Sequence, residues 1–329
     1  MNAKALGFTD ISDNEREVLA EEAAKYIKED HENPYFMMIS LINPHDICYM
    51  AIRDFAYTEQ EKRLVENGVV ECAALDQALL MPNGVTEQTF FEKYCPPLPP
   101  NFEPQKGEPE AIKSLIDRRD FRRNARDNYT ENDWRRHRWA YCRLTELVDQ
   151  RVQTILDAII ESGGEENTLV IFSSDHGDND ASHRLEHKTV LYEESANVPF
   201  LAMWKGHIRA GQIDDINLIS TGLDLLPTIC DYAGTKGVAD PRGKSLRPLF
   251  EGRKVAWRET LGVESEIGRM VVSKDRLKYI KYDAVGIEEQ LLDLNQDPFE
   301  TNHVTGDPLF KEKLADLRKA FQTEWFPGY

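Results

Sequence analysis

The sequence predicts an α/β fold, a large sheet-and-helix domain followed by a smaller antiparallel one, and three observations carry that prediction. The run from Tyr35 to Ile42 is apolar except for Ser40 and follows a helical pattern. A second such run, Thr168 to Ser174, follows a long helical pattern and leads straight into polar, reactive residues. Beyond about Val255 the text changes to short alternating segments. Helices that feed strands buried on both faces indicate an α/β sheet, and ligands bind such sheets at the carboxyl ends of their strands. At 329 residues the chain exceeds one average domain, so the expected division is 1–255 and 256–329.

Each element has a local reason. Ser12 and Glu15 have capping-box spacing, and Val18, Ala23, Tyr26 and Ile27 form an apolar stripe behind them, which predicts a helix of about four turns. The strand expected from Tyr35 to Ile42 comes next. Cys95 to Asn101 reads Cys-Pro-Pro-Leu-Pro-Pro-Asn, and prolines so dense permit only an extended connector. Thr130 and Asp133 can cap a long helix whose apolar positions Leu144, Val148, Val152, Ile155 and Ile159 recur at helical spacing until Gly163 and Gly164. A strand at Val198 to Trp204 and a helix at Leu223 to Ala233 follow the second run. Arg269 to Ser273 and Leu277 to Tyr282 flank a turn at Lys274 to Arg276, a hairpin signal, and a helix from Pro308 to Phe321 closes the chain.

Composition excludes several classes. With 58 acidic against 40 basic residues the net charge is −18, which repels a phosphate backbone and argues against a nucleic-acid partner. The longest apolar run is far short of the roughly 20 residues that cross a bilayer, so no membrane span is expected. Five cysteines lie scattered without a C-x-x-C pair; free thiols are expected rather than a disulfide scaffold or a zinc site. The first ten residues lack a basic segment followed by an apolar one. The chain as written is therefore expected in the cytoplasm, or in the periplasm or outside the cell should a preceding segment carry a signal.

The densest chemistry lies between Ser174 and Phe200. Asp175, His176, Gly177, His183, Lys188, Tyr192, Glu193, Glu194, Val198 and Pro199 stand in one register that resembles the sulfatase pattern S-D-H-G-E-x-x-G-x-H-x-x-x-x-K-x-x-x-Y-E-E-x-x-x-V-P. Asp178 replaces the usual Glu, and Ala181 a common Gly. The resemblance extends through Asn43-Pro44-His45-Asp46, Asp224-Leu225-Leu226-Pro227-Thr228, and Leu291 to Glu300. It implies an alkaline-phosphatase-like α/β/α sandwich with a mixed central sheet, and a small C-terminal antiparallel sheet with a helix.

The resemblance also implies roles. Sulfate-ester cleavage needs a cation to neutralise charge developing on oxygen, donors around those oxygens, and an acid for the departing alkoxide. Asp175 and His176 are expected to help hold a divalent cation, calcium first and magnesium as the alternative. Lys188 is expected to contact a sulfate oxygen and the bridging oxygen, and His45 and His183 to bind sulfate or protonate the leaving group. His187 reads as a supporting or surface histidine. Tyr192, Glu193 and Glu194 read as a helix start that holds Lys188 in place.

Sulfatases also use a formylglycine made from Cys or Ser in the pattern C/S-x-P/A-x-R, and paired aspartates near the N-terminus. Neither is found here. Cys95 has Pro99 where Arg belongs, while Ser12 and Ser114 have Arg16 and Arg118 but carry Asn14 and Ile116 where Pro or Ala belongs. Asp214-Asp215 follows Gly211 and reads as a solvated turn. The expected activity is hydrolysis of sulfated sugars or small molecules. The alternatives are a phosphodiester or phosphonate monoester hydrolase, a non-catalytic anion-binding relative, and one part of a split enzyme; the expected protein partner is a complementing N-terminal fragment or, in a homo-oligomer, another copy of the chain. The stretch Arg118, Arg119, Arg122, Arg123, Arg126, Arg135, Arg136 and Arg138 reads either as a solvated, ion-paired face or as a patch that steers a sulfated glycan.

Overall fold

The computed structural model describes residues 7–237, 242–283, 286 and 288–326. Residues 1–6, on which part of the reading of the N-terminus falls, lie outside them. The chain forms two compact units, Met1–Pro97 with Thr130–Thr168, and Leu98–Tyr129 with Leu169–Tyr329. The expected boundary near Val255 does not coincide with a boundary between these units.

The first unit is helical: α1 (Glu17–Ile27), α2 (Cys48–Asp54), α3 (Glu59–Asn67), α4 (Val69–Ala78) and α5 (Glu87–Lys93), with α8 (Glu131–Glu161). The long helix starts as the sequence predicts, Thr130 Oγ1 accepting from the Asp133 N–H at 3.2 Å and Asp133 accepting from the Thr130 N–H at 2.9 Å. It stops at Gly163, whose φ of 71° is left-handed. Trp134, Ala140, Leu144, Ala158 and Ile159 are its buried apolar residues, and α1, whose Leu19, Ala20, Ala23, Ala24 and Ile27 are buried, packs along it.

Two expectations in this unit are corrected. Ser12 does not cap α1; its Oγ accepts from the Asn14 N–H at 3.1 Å, and the helix begins at Glu17. The chain is anchored before the helix because Arg16 grips the buried Asp46 carboxylate with two bonds of 2.6 and 2.9 Å. Residues 35–42 form no strand. A strand exists only through a ladder with a neighbour, and among the described residues no strand pairs with this run; Tyr35, Phe36 and Met38 are exposed.

The second unit holds α6 (Glu110–Asp117), α7 (Asp120–Asn128), β1 (Val170–Ser173), α9 (Glu193–Ala196), β2 (Phe200–Met203), α10 (Thr221–Tyr232), α11 (Arg247–Phe250), β3 (Thr260–Ser265), β4 (Gly268–Ser273), β5 (Leu277–Tyr282), β6 (Glu289–Asp293) and α12 (Lys311–Trp325). Helices with small antiparallel sheets keep to the expected α/β class, and among the described residues β1 and β2 pair antiparallel, with Val170 opposite Met203 and Phe172 opposite Leu201. One face of this pair, Ile171, Phe200 and Ala202, packs on Leu246, Leu249 and Phe250. The other face carries Phe172, Leu201 and Met203, all exposed. Apolar residues on both faces explain why the sequence reads as a doubly buried strand.

The C-terminal sheet is an antiparallel meander in the order β3-β4-β5-β6, and the hairpin expected at 269–282 is its centre. Met270, Ile280, Tyr282 and Leu292 pack with α6 and with residues 185–192. Val271, Tyr279 and Leu291 face Leu314, Leu317 and Phe321 of α12. The sheet is therefore covered on both sides, and one of its two cores is shared with the segment that carries the candidate chemistry.

Candidate functional site

Residues 174–196 leave the carboxyl end of β1, loop out, and return to α9. At the first turn, Ser174 Oγ donates to the His176 carbonyl at 2.7 Å and the His176 N–H donates to Asp175 Oδ1 at 3.0 Å. His176 Nδ1 stands 2.8 Å from the Gly177 carbonyl. A carbonyl only accepts, so Nδ1 carries the proton and the lone pair resides on Nε2. That Nε2 lies 3.4 Å from Asp175 Oδ2, with both side chains open to solvent. A carboxylate oxygen and an imidazole lone pair so placed fit a divalent cation as two of its ligands. Among the described residues no group of three or more His, Cys, Asp or Glu converges as a metal cluster.

The turn rests on α9. The Gly177 N–H donates to the Ser195 carbonyl at 2.9 Å, and a Cβ on Gly177 would sit 1.9 Å from the Glu194 carbonyl oxygen. No side chain fits there, which accounts for the glycine. Asn179 then closes the loop: its amide donates to the His187 carbonyl and, at 3.1 Å, to Ser195 Oγ, while its N–H reaches the same His187 carbonyl at 3.3 Å. The two arms are thus tied at 179 and 187, next to Lys188.

The loop is backbone-strained. Asp180, Ala181, His183, Arg184 and Thr189 all have φ between 43° and 82°, a region that costs an L-residue of the order of 1 kcal/mol or more and is least tolerated by a β-branched one. Ala181, at φ 77°, occupies a left-handed position, so the glycine common in the sulfatase pattern has a conformational reason there. Thr189, beside Lys188, is held at φ 82°.

Lys188 is half-buried, and among the described residues its ammonium has no ion-pair or hydrogen-bond partner. In a chain of net charge −18 that is unusual, and it leaves a cation available for an anion. His183 is fully buried. Its N–H donates to the Asn101 carbonyl at 2.7 Å, its Nε2 accepts from the Asn101 amide at 3.3 Å, and its ring stacks on Tyr192 at 4.0 Å. Burial pulls its pKa from 6.5 down to about 4, against the opposing charge of Glu194. At neutral pH it is a neutral ring inside the wall of the loop. The residue expected to bind sulfate or protonate the leaving group is thus packed against Tyr192 and Asn101.

His45 lies in the first unit, exposed at the start of a 3-10 turn, His45–Ile47, its N–H donating to the Ile42 carbonyl at 3.1 Å. His187 contributes its carbonyl to the loop closure. Glu193 and Glu194 form the helix start that the sequence predicts. Asp214 caps a local turn, accepting from the N–H groups of Ile216 at 3.2 Å and Asn217 at 2.9 Å.

Three residues escaped sequence reasoning. Asn101 spends its amide on Glu194 at 2.6 Å, on the Phe299 carbonyl at 3.2 Å and on His183. Lys278 and Glu300 meet in the interior at 2.7 Å. A signal for Lys278 existed: its period-2 position in β5 falls on the same side as Ile280 and Tyr282. Several arginines of the stretch have partners within their own unit. Arg123 pairs with Asp120, Arg126 with Glu108 at 2.7 Å and Arg136 with Glu87 at 2.5 Å, while Arg135 donates to the Pro96 carbonyl at 2.9 Å.

Known proteins resemble the chain along most of its length. Residues 181–324 match the model for the N-sulphoglucosamine sulphohydrolase C-terminal region. A Delta 4,5-hexuronate-2-O-sulfatase of Bacteroides thetaiotaomicron is 28% identical over 310 residues, 91% of this chain and 58% of that protein. An arylsulfatase of Clostridium perfringens is 31% identical over 191 residues, 56% of this chain and 39% of that protein. The solved structure of a 2-O GAG sulfatase superposes with a TM-score of 0.75 at 26% identity, covering 96% of this chain and 66% of that one. A phosphonate monoester hydrolase of Agrobacterium radiobacter shares the fold, with a TM-score of 0.65 at 19% identity over 93% of this chain and 59% of that one. The chain thus spans 58% of the length of the hexuronate sulfatase. Because the sulfatase family model matches residues 6–235, a span that takes in the Asp175–His176 turn, the strained loop and Lys188, the chain belongs to the sulfatase family.

Proposed function

We propose that this chain serves hydrolysis of sulfate esters on small sulfated sugars. The observation that carries the reading is Lys188, a half-buried ammonium without a partner among the described residues, on a strained loop of a strongly acidic chain. The carboxylate of Asp175 and the Nε2 lone pair of His176 contribute to holding a divalent cation, calcium first and magnesium second, since hard ions favour oxygen ligands and take about six or more of them. When bound, the cation neutralises charge on the sulfate oxygens. Lys188 contacts a sulfate oxygen and balances the charge that builds as the ester bond breaks. His183 supports the loop as a neutral ring. The sugar class is supported by the hexuronate-2-O-sulfatase and the 2-O GAG sulfatase among the relatives. The phosphonate monoester hydrolase, at 19% identity, supports the shared fold alone.

The test is titration of inorganic sulfate into the protein with and without calcium, alongside turnover of aryl sulfate and aryl phosphate esters. A charge-assisted contact contributes about 1.5–3 kcal/mol, so Lys188→Ala is expected to weaken sulfate binding roughly 10- to 100-fold. Asp175→Ala is expected to remove the calcium dependence. Unchanged sulfate affinity in Lys188→Ala, or a preference for the phosphate ester, would overturn the reading.

A further inference from the structure

The Asp175–His176 turn leans on α9, and α9 has an unusual support. It is four residues long, and the Tyr192 side chain makes no cap bond to it. Helices leave their first N–H groups without partners inside the helix. Here the N–H of Glu193 donates to Glu300 Oε2 at 2.6 Å, from a residue 107 positions away. The other oxygen of Glu300 meets Lys278 at 2.7 Å, and the same ammonium meets Glu193 Oε1 at 2.6 Å and the Leu191 carbonyl at 3.0 Å. Lys278 is fully buried on β5, and Glu300 is almost fully buried.

Desolvation makes such a cluster costly, and hydrophobic replacements of buried ion pairs are often as stable or more so. The cluster is therefore poorly explained by stability alone. It does specify geometry: one ammonium holds the chain at Leu191 and Glu193, one carboxylate caps α9, and both start from the rigid C-terminal sheet and the turn that follows it. The backbone at Glu300 is held at φ 53°, and its carbonyl accepts from Gln105 at 2.8 Å, so the carboxylate is aimed by its own surroundings. The chain of contact then runs through α9 to the Gly177 N–H on the Ser195 carbonyl and the Gly177 Cα on the Glu194 carbonyl.

We propose that Lys278 and Glu300 are positioning residues that set the Asp175–His176 turn and Lys188 through α9. This rests on the sulfate-binding reading above for its functional meaning. A second buried pair in the same unit, Arg258 with Asp224 at 2.6 Å, supplies the control, because it braces α10 rather than α9.

The experiment is amide hydrogen exchange of residues 176–188, together with sulfate titration, in wild type, Lys278→Met, Glu300→Gln and Arg258→Met. Lys278→Met is expected to speed exchange at Gly177 and Asn179 at least tenfold and to weaken sulfate binding about tenfold. Glu300→Gln, which keeps an acceptor for the Glu193 N–H, is expected to show a smaller effect on both and guards against a variant that fails to fold. Arg258→Met is expected to lower the melting temperature while leaving exchange at 176–188 and sulfate affinity unchanged. Exchange at Gly177 that is unaltered in Lys278→Met and Glu300→Gln, or altered equally in Arg258→Met, would overturn the positioning role. Wild type without sulfate affinity would instead overturn the binding reading, whatever the exchange shows, and with it the functional meaning of the positioning.

Discussion

At Gly177 a single missing side chain sets the geometry of the candidate site. The Glu194 carbonyl occupies the place of its Cβ, at 1.9 Å, so Gly177→Ala forces either the turn or α9 to move. Overpacking of this kind costs roughly 1–3 kcal/mol. A clear drop in melting temperature and at least tenfold weaker sulfate binding are expected, and an alanine variant with wild-type affinity would show that the turn does not need its seat on α9.

His183 makes a pH prediction of definite sign. Its folded pKa lies near 4, below the ordinary 6.5, chiefly because burial disfavours the charged ring. The stability tied to the neutral ring is then full above about pH 6.5 and is lost as pH falls toward 4, by an amount of the order of 3 kcal/mol. Glu300 works the other way. Burial raises its pKa to about 7 despite Lys278, so its contribution is greatest below the ordinary carboxylate range and declines as pH rises to about 7. Denaturant unfolding of wild type and His183→Gln between about pH 7 and 4 separates the two. The wild type is expected to lose more stability over that interval than the variant, and parallel curves would refute the assignment.

Among elements, α10 shows what a motif shared with the family does for the structure. Asp224 accepts from the Ser220 N–H at 2.8 Å, from the Lys244 N–H at 2.9 Å and from Arg258. Thr228 accepts from the Leu246 N–H at 2.8 Å. Pro227 lacks the N–H that would bond the Leu223 carbonyl, and Gly243 packs where its own Cβ would lie 2.3 Å from that freed oxygen. The motif Asp224 to Thr228 is a clamp between α10 and residues 243–246. The β1–β2 pair carries a different consequence. Leu201 and Met203 are 58% and 47% exposed on its open face, so replacing them by Lys and Glu removes sticky surface with little loss of packing. The double variant is expected to stay soluble at higher concentration with a melting temperature within a few degrees of wild type. A large drop would mean that this face is packed in solution.

The whole molecule carries net charge −18, and its arginine stretch is largely bound to Glu, Asp and backbone carbonyls. Exposed pairs contribute little to stability, but they cancel the field that would steer a polyanion. The protein is expected to pass through a sulfated-polysaccharide resin at about 0.15 M salt without retention, while single sulfated sugars still compete with inorganic sulfate. Retention that depends on Arg118 and Arg119 would restore the glycan-steering reading. No helix among the described residues is long and apolar enough to cross a membrane, as the lengths of the apolar runs imply.

Local chemistry in the sequence determined the capped start and glycine stop of α8, the hairpin of β4 and β5, the terminal helix, and the register from Asp175 to Pro199 that marks the family. These features depend on residues within a few positions of each other, where spacing and propensity are decisive. Only the tertiary structure decided that residues 35–42 have no strand partner, that His183 is sealed and uncharged, and that Asn101, Lys278 and Glu300 brace the loop. Their partners lie 82 to 107 positions away, and nothing in a local pattern fixes which distant groups will meet. Burial converts an ordinary histidine, lysine or glutamate into a neutral ring or a paired charge, and burial is a property of the packed chain, decided when the C-terminal sheet closes over residues 185–192.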